Sequence, residues 1–146
     1  LKVISQQKKL KKIGAHIIKE SKVRKGKGFF ITPGLIDSTN LKERFDEEIF
    51  GPILQVHFVG SFSEAIDEAN NTKFGLAASL ISDSRQLFDE FHSSINSGLV
   101  NFNATTTGAS GALPFGGVGK SGNYRPAGFY AADFCAWPKS SVLKKL

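Results

Sequence analysis

The strongest constraint on the fold is a regular alternation of apolar and amphipathic segments between residues 53 and 102. Short apolar strands are predicted at residues 53–59, 76–81 and 99–102. Helices of about 10 to 12 residues are predicted between them. Near-continuous apolar strands that alternate with helices are typical of parallel sheets. The sequence therefore predicts an α/β fold, a parallel open sheet with flanking helices.

Both of these helices begin with a capping signal. Ser61 and Glu64 have the spacing of a capping box, and Asp83 with Gln86 predicts the second cap. An earlier amphipathic helix is predicted over roughly the first dozen residues, with Gly14 as its stop. Further strands are predicted at 15–18, 29–31, 35–36 and 141–146, and an aromatic-rich helix at 129–137.

The strand at 99–102 runs into a stretch, residues 101–126, that holds six of the chain's 15 glycines. Glycine lets the backbone approach a ligand closely, so such a stretch is more often a binding loop than a spacer. The apolar pair Leu113 and Phe115 favours an ordered loop. Ligands of parallel sheets bind outside the carboxyl ends of the strands. Residues 101–126 are therefore predicted to form a binding loop.

Composition limits the class of protein. No apolar run approaches the roughly 20 residues that cross a bilayer, so no membrane association is predicted. Cys135 is the only cysteine, which rules out an internal disulfide and fits a reducing compartment, here the cytoplasm. The chain starts at Leu1 and contains no methionine, so we expect it to be a piece of a longer protein.

The net charge of +6 is unevenly distributed. Residues 1–27 hold ten Lys or Arg and one Glu, whereas the other 119 residues hold nine basic and 12 acidic residues. A basic block of this kind is found in nucleic-acid-binding modules. It lacks the interleaved aromatics of a single-strand binder, however, and a solvated helix face is the favoured interpretation. No nucleic-acid partner is predicted.

The tripeptide Gly119-Lys120-Ser121 suggests a phosphate-binding loop. That motif requires a glycine five residues before the final glycine, so that N–H groups can cradle phosphate. Pro114 occupies the position in question and has no N–H. A nucleotide-binding module of this type is kept only as a remote alternative.

An acidic turn, Asp46 to Pro52, precedes the strand at 53–59. The simplest interpretation is a solvated turn. The functional alternative is that one carboxylate accepts hydrogen bonds from the hydroxyls of a ligand, as carboxylates do with ribose.

Two motifs taken together resemble the aldehyde dehydrogenase superfamily. They are Glu-Ile-Phe-Gly-Pro at 48–52 and Pro-Phe-Gly-Gly-Val-Gly-Lys-Ser-Gly at 114–122. Intermediate features agree in order, at 28–33, 64–72, 74–76 and 98–101, so the resemblance covers essentially the whole chain. The residues at 106–110, 122–126 and 130–138 are most similar to the branch that oxidises N-succinylglutamate 5-semialdehyde in arginine catabolism. Another semialdehyde dehydrogenase of the superfamily is the alternative.

The resemblance implies a division of the chain and a coenzyme site. Residues 1–140 would be the C-terminal part of the catalytic domain, and 141–146 a terminal strand that joins subunits of a homo-oligomer. Glu48 would hydrogen-bond the nicotinamide ribose, and Phe50 would pack beside the nicotinamide. The implied coenzyme is NAD, with NADP left open.

The same resemblance implies a site for the semialdehyde substrate. Phe115 would line the aldehyde tunnel, and the loop Thr107, Gly108, Ala109 and Ser110 would meet the distal end of the substrate. That end carries carboxylates, and small residues with free N–H groups form an anion nest. Arg125 is a second candidate partner for an anion, although a structural salt bridge is its favoured interpretation.

The catalytic residues of the superfamily are not expected in this chain. Its nucleophilic cysteine attacks the aldehyde, hydride passes to the coenzyme, and the thioester is hydrolysed. The resemblance implies that this cysteine, the glutamate base and the coenzyme domain lie upstream. Cys135 is expected to be a buried structural residue. The chain alone is therefore predicted to be inactive and to self-associate, and no metal site is predicted.

Overall fold

The computed structural model describes residues 2–145, apart from the side chain of Phe134. Its helices are α1 (Lys2–Lys12), α2 (Phe62–Asn70), α3 (Arg85–Ser94) and α4 (Ala131–Phe134), with a 3-10 turn at Gly119–Ser121. Its strands are β1 (His16–Lys19), β2 (Gly34–Asp37), β3 (Ile53–Val56), β4 (Ala77–Leu80), β5 (Leu99–Phe102), β6 (Pro114–Phe115) and β7 (Ala127–Gly128). The chain divides into two compact units, residues 1–64 and 65–146.

The first unit is a three-stranded sheet in the order β1-β2-β3 with α1 packed on its core. β2 and β3 are parallel, whereas β1 is antiparallel to β2. The core consists of Leu10 from α1, Ala15 and Ile36, of which Leu10 and Ile36 are completely buried. α1 ends where Gly14 takes a φ of +109°, a conformation that favours glycine. The predicted first helix and its stop are thereby confirmed.

The second unit contains the parallel pair β4-β5 and the small antiparallel pair β6-β7. α3 lies between β4 and β5, as expected for a βαβ connection. Its N-cap is Ser84, whose side chain accepts a hydrogen bond from the Leu87 N–H at 3.2 Å. The predicted cap at Asp83 was therefore wrong by one residue. A hydroxyl group performs the function that was assigned to a carboxylate.

The predicted α/β class is confirmed, with differences at several elements. The strand predicted at 99–102 is found with the same bounds, whereas those at 53–59 and 76–81 are shorter, four residues each. Residues 29–31 form only an isolated bridge between Ile31 and Val23. The aromatic-rich helix predicted at 129–137 is a single turn, α4.

The terminal strand predicted at 141–146 is not formed within this chain in its described part, residues 141–145, and Leu146 lies outside the described residues. Val142 and Leu143 are more than 90% exposed. A strand that pairs only with another subunit needs that subunit for its hydrogen bonds. The subunit-joining role therefore stays a prediction.

Candidate functional site

Glu48 and Phe50 lie in the first unit, on a segment without regular secondary structure between β2 and β3. Both side chains are exposed, and Phe50 is 80% exposed. A phenyl ring at such exposure gains little from burial in its own chain. One accessible segment thus carries an exposed carboxylate at Glu48 and an exposed aromatic ring at Phe50.

The other acids of this turn are engaged within the chain. Glu47 accepts a hydrogen bond from Lys9 Nζ at 2.5 Å, and Asp46 also takes part in an interaction. The hydrogen bond from Lys9 lowers the pKa of Glu47, and desolvation opposes this only in part. Within residues 2–145, the Glu48 carboxylate has no hydrogen-bond partner. The acidic turn alone does not show which of its carboxylates could bind a ligand. In the structure, Glu48 is the one available.

Thr107, Gly108, Ala109 and Ser110 lie in the second unit, in an exposed loop without regular structure. The start of the loop is anchored to β5, because Asn101 Nδ2 donates to the Thr105 carbonyl oxygen at 2.7 Å. The Thr105 and Thr107 hydroxyl groups are 2.9 Å apart. Gly108 has a φ of +120°, which a side chain would strain. In the part of the chain that the structure describes, the N–H groups of residues 107–110 donate to no protein acceptor. Such groups are available to an anion.

The Asn103 side chain helps to join the carboxyl ends of β4 and β5. The Asn103 amide accepts from the Ser82 N–H at 2.9 Å and donates to the Ser82 carbonyl oxygen at 2.8 Å. Asn103 itself has a φ of +50°, a region in which asparagine is tolerated. The loop therefore leaves from the carboxyl edge of a parallel pair, as predicted. Sequence reasoning missed Asn103, although an asparagine directly after a strand was the available signal.

Phe115 lies in β6, opposite Ala127 of β7, and is 37% exposed. β7 is completed by Gly128, which has a φ of +65° and lies against the Leu113 carbonyl oxygen. Phe115 is thus held by a short strand pair in the same unit as the loop 107–110. Glu48 and Phe50 belong to the other unit.

The glycines at 116–122 have a different role from the one predicted. A Cβ on Gly98 would collide with the Gly116 carbonyl oxygen, and one on Gly122 with that of Gly117. Backbone packs directly on backbone here, so these glycines permit close packing, and Gly116, Gly117 and Gly122 also line a cavity of about 320 Å³. The binding role of residues 107–110 stays a prediction, whereas the glycines at 116–122 are explained by close packing.

The same segment argues against the phosphate-loop alternative. The N–H groups of Val118 and Lys120 donate to the carbonyl oxygens of Gly75 (3.0 Å) and Lys73 (2.8 Å). The Ser121 hydroxyl accepts from the Gly75 N–H at 3.1 Å. Groups that a phosphate cradle would need are therefore committed to protein contacts.

Arg125 is exposed and lines two cavities of the second unit. The larger, of about 500 Å³, is also lined by Tyr130, Asp133 and Trp137. The salt bridge favoured by the sequence is not found among residues 2–145. The guanidinium group is therefore available to an anionic ligand.

Cys135 is exposed, not buried as predicted. It is the C-cap of α4, and its N–H donates to the Ala131 carbonyl oxygen at 3.0 Å. α4 is too short to bury one face, which leaves the thiol accessible. No basic partner of the thiol is found among residues 2–145, and a thiolate needs one for activation.

Within 2–145, no group of three or more His, Cys, Asp or Glu side chains is arranged to hold a metal ion. None of the helices there has the length and apolar character of a membrane span.

The residues that fix the Glu48 segment were not found by sequence reasoning. Lys9 and Gln6 of α1 contact Glu47 and the Glu48 carbonyl oxygen, 38 and 42 positions away. The seven-residue spacing of apolar residues predicts α1, but it does not specify which distant segment lies on the polar side of the helix.

Comparison with known proteins gives concordant matches. The profile of the aldehyde dehydrogenase family matches residues 1–140. N-succinylglutamate 5-semialdehyde dehydrogenase of Sphingopyxis alaskensis is 57% identical over 77% of this chain and 24% of its own length. The protein of the same name from Legionella pneumophila (strain Corby) is 44% identical over the whole chain and 30% of its own length. The chain thus spans less than a third of these relatives.

Solved structures show the same similarity. Succinic semialdehyde dehydrogenase from Streptococcus pyogenes, in complex with NADP+, superposes with a TM-score of 0.79 and 28% identity, over 86% of this chain and 28% of its own. A 1-pyrroline-5-carboxylate dehydrogenase from Thermus, with bound NAD, gives a TM-score of 0.77 and 33% identity, over 87% and 25%.

Proposed function

This chain belongs to the aldehyde dehydrogenase family, and on that premise we propose that it is the C-terminal part of an NAD-dependent enzyme that oxidises N-succinylglutamate 5-semialdehyde to N-succinylglutamate. The observation that carries the proposal is the identity of 44–57%, over 77–100% of the chain, to relatives named for that activity. In this proposal the enzyme acts in arginine catabolism, in the cytoplasm, as a homo-oligomer.

The coenzyme contacts are assigned to the first unit. The Glu48 carboxylate accepts hydrogen bonds from the nicotinamide ribose, and the exposed Phe50 ring packs beside the nicotinamide. The free carboxylate and the ring at 80% exposure fit these roles. Bound coenzyme supplies the hydride acceptor. NADP is the alternative, and the two structural neighbours above differ on this point.

The substrate contacts are assigned to the second unit. Phe115 lines the passage of the aldehyde, and the N–H groups of residues 107–110 bind a carboxylate at the distal end. The absence of protein acceptors for these N–H groups among residues 2–145 supports the assignment. An N-succinylated glutamate semialdehyde has two carboxylates, and Arg125 is the cation assigned to the second.

Catalysis itself is assigned to residues outside this chain. The nucleophilic cysteine and the general base of the family precede the segment equivalent to this one. Among the described residues, the Cys135 thiol has no hydrogen-bond or ion-pair partner, and Cys135 is not given the role. What this chain contributes is binding and orientation of coenzyme and substrate.

The test is aldehyde oxidation by the full-length protein. We expect the highest kcat/KM with N-succinylglutamate 5-semialdehyde and NAD, compared with succinic semialdehyde, glutamate 5-semialdehyde and NADP. A preference for succinic semialdehyde would favour the alternative that the Streptococcus pyogenes structure suggests. No coenzyme reduction with any aldehyde would overturn the proposal. The chain of 146 residues, assayed alone, is expected to be inactive.

A further inference from the structure

Residues 47–51 lie along α1. Glu47 contacts α1 and Ile49 packs against its core, whereas the side chains of Glu48 and Phe50 are exposed. The chain turns at Phe50, because the Gly51 N–H donates to the Ile49 carbonyl oxygen at 2.8 Å. Glu48 therefore lies between two residues that are held by α1 or its core, and Phe50 lies in a tight turn.

The contacts with α1 are spaced along its whole length. Lys9 Nζ lies 2.5 Å from Glu47 Oε1, and Gln6 Nε2 donates to the Glu48 carbonyl oxygen at 3.5 Å. Val3 packs on Gly51 so closely that a Cβ there would lie 2.6 Å from Val3 Cγ2. Residues three apart in a helix are neighbours on its surface. One residue per turn therefore contacts the segment, which runs antiparallel to α1.

Lys9 is restrained on a second side. Its Nζ lies 5.2 Å from the centre of the Phe45 ring, and Phe45 packs against the core that includes Leu10. Because the Phe45 ring already restricts the Lys9 side chain, the ion pair with Glu47 costs less additional side-chain entropy than it would for an unrestrained lysine. The ion pair is thus better fixed than its half-exposed position alone would suggest.

The far end of the segment is fixed by the sheet. The Gly34 N–H donates to the Pro52 carbonyl oxygen at 2.8 Å, and Gly34 pairs with Ile53 at the start of β3. Only the part that carries Glu48 and Phe50 lies outside the sheet. This part depends on α1 for its position.

We propose that Lys9, with Gln6, positions the coenzyme-binding pair Glu48 and Phe50 through the main chain of residues 47–51. The inference rests on the proposed function, since it assumes that Glu48 and Phe50 meet the coenzyme. Lys9 touches neither coenzyme nor substrate in this arrangement. Lys9 is a positioning residue. Without it, Glu48 and Phe50 adopt additional orientations that do not bind the coenzyme, and coenzyme binding therefore becomes weaker.

The experiment uses the full-length protein and titrates NADH fluorescence to measure the coenzyme Kd. Lys9→Met is expected to raise this Kd and the KM for NAD about threefold, the scale of one partly exposed ion pair. The KM for the aldehyde is expected to stay unchanged. Lys9→Arg should restore the wild-type Kd, because it keeps the charge.

Lys8→Met is the matched control. Lys8 is exposed on the same helix, and no ion pair is found for it among residues 2–145. The substitution removes the same charge and should leave the Kd unchanged. An equal shift from Lys8→Met would show a general charge effect and overturn the inference.

A double-mutant cycle with Glu47→Gln tests whether the effect passes through the ion pair. Lys9→Met and Glu47→Gln together should raise the Kd no more than either alone. Additive effects, or an unchanged Kd in Lys9→Met, would overturn the inference. A wild-type protein that binds NADH but oxidises no aldehyde would overturn the proposed function alone. A wild-type protein that does not bind NADH would overturn both.

Discussion

Gly98 and Gly116 are in direct backbone contact, with no room for a side chain between the turn before β5 and the end of β6. This contact attaches the segment that carries Phe115 to the parallel pair β4-β5. The glycine-rich motif at 114–122 therefore packs closely against neighbouring backbone and supports the candidate substrate site. The accessible part of that site is the loop 107–110.

Replacing Gly98 with alanine should destabilise the protein by about 1–3 kcal/mol, because the methyl group forces the two backbones apart. Urea unfolding of the full-length protein measures the change. Gly111→Ala is the control, since a Cβ on Gly111 meets nothing within 4 Å. Equal effects of the two substitutions would contradict the close contact.

Glu48→Gln should lower kcat and weaken coenzyme binding by about tenfold or more, the scale of a hydrogen bond to a charged group. Steady-state kinetics with NAD as the varied substrate provide the measurement. Glu43→Gln removes an equally exposed carboxylate from the same unit and should have no effect. If the two variants behave alike, Glu48 is not a coenzyme ligand.

Arg125→Met should raise the KM for N-succinylglutamate 5-semialdehyde about tenfold, because one carboxylate loses a charge-assisted partner. The KM for an uncharged aldehyde such as propanal should stay the same. Lys139→Met is the control for the loss of a positive charge in this region. A similar change for both aldehydes would indicate a structural role of Arg125.

Cys135→Ser should leave kcat and KM within about twofold of wild type, since an exposed surface substitution changes stability little. Because the thiol is exposed, iodoacetamide should label Cys135 in the wild-type chain. The label should be absent from the variant, in which aldehyde oxidation persists. Loss of activity in Cys135→Ser would show that this cysteine takes part in the reaction.

Two carboxylates should contribute to the acid sensitivity of the fold. Hydrogen bonds from the Thr39 side chain and then its N–H lower the pKa of Asp37 below its ordinary value of 3.8, and Lys9 lowers that of Glu47 below 4.5. A lowered pKa means that the folded state holds the proton less tightly than the unfolded state. The stabilisation is therefore complete above about pH 4.5 and is lost as the pH falls through the lowered values.

Asp37→Asn tests this pH dependence. The variant should show a weaker decrease in stability below about pH 3.8 than the wild type, as measured by circular dichroism during acid titration. Asp67→Asn is the control, because no hydrogen bond or ion pair of the Asp67 carboxylate is found in the described part of the chain. Identical acid profiles of Asp37→Asn and wild type would contradict the role of Asp37.

The sequence alone determined the fold class and the bounds of β5, and it predicted the residues for ligand binding. These features depend on local patterns: apolar runs, capping side chains, and an aromatic ring two residues from a carboxylate. Tertiary structure decided which function each pattern has. It paired Glu47 with Lys9 and left the Glu48 carboxylate free, and it packed the glycines at 116–122 closely against neighbouring backbone. It also exposed Cys135. These outcomes depend on contacts between residues far apart in the chain, and local sequence patterns do not specify them.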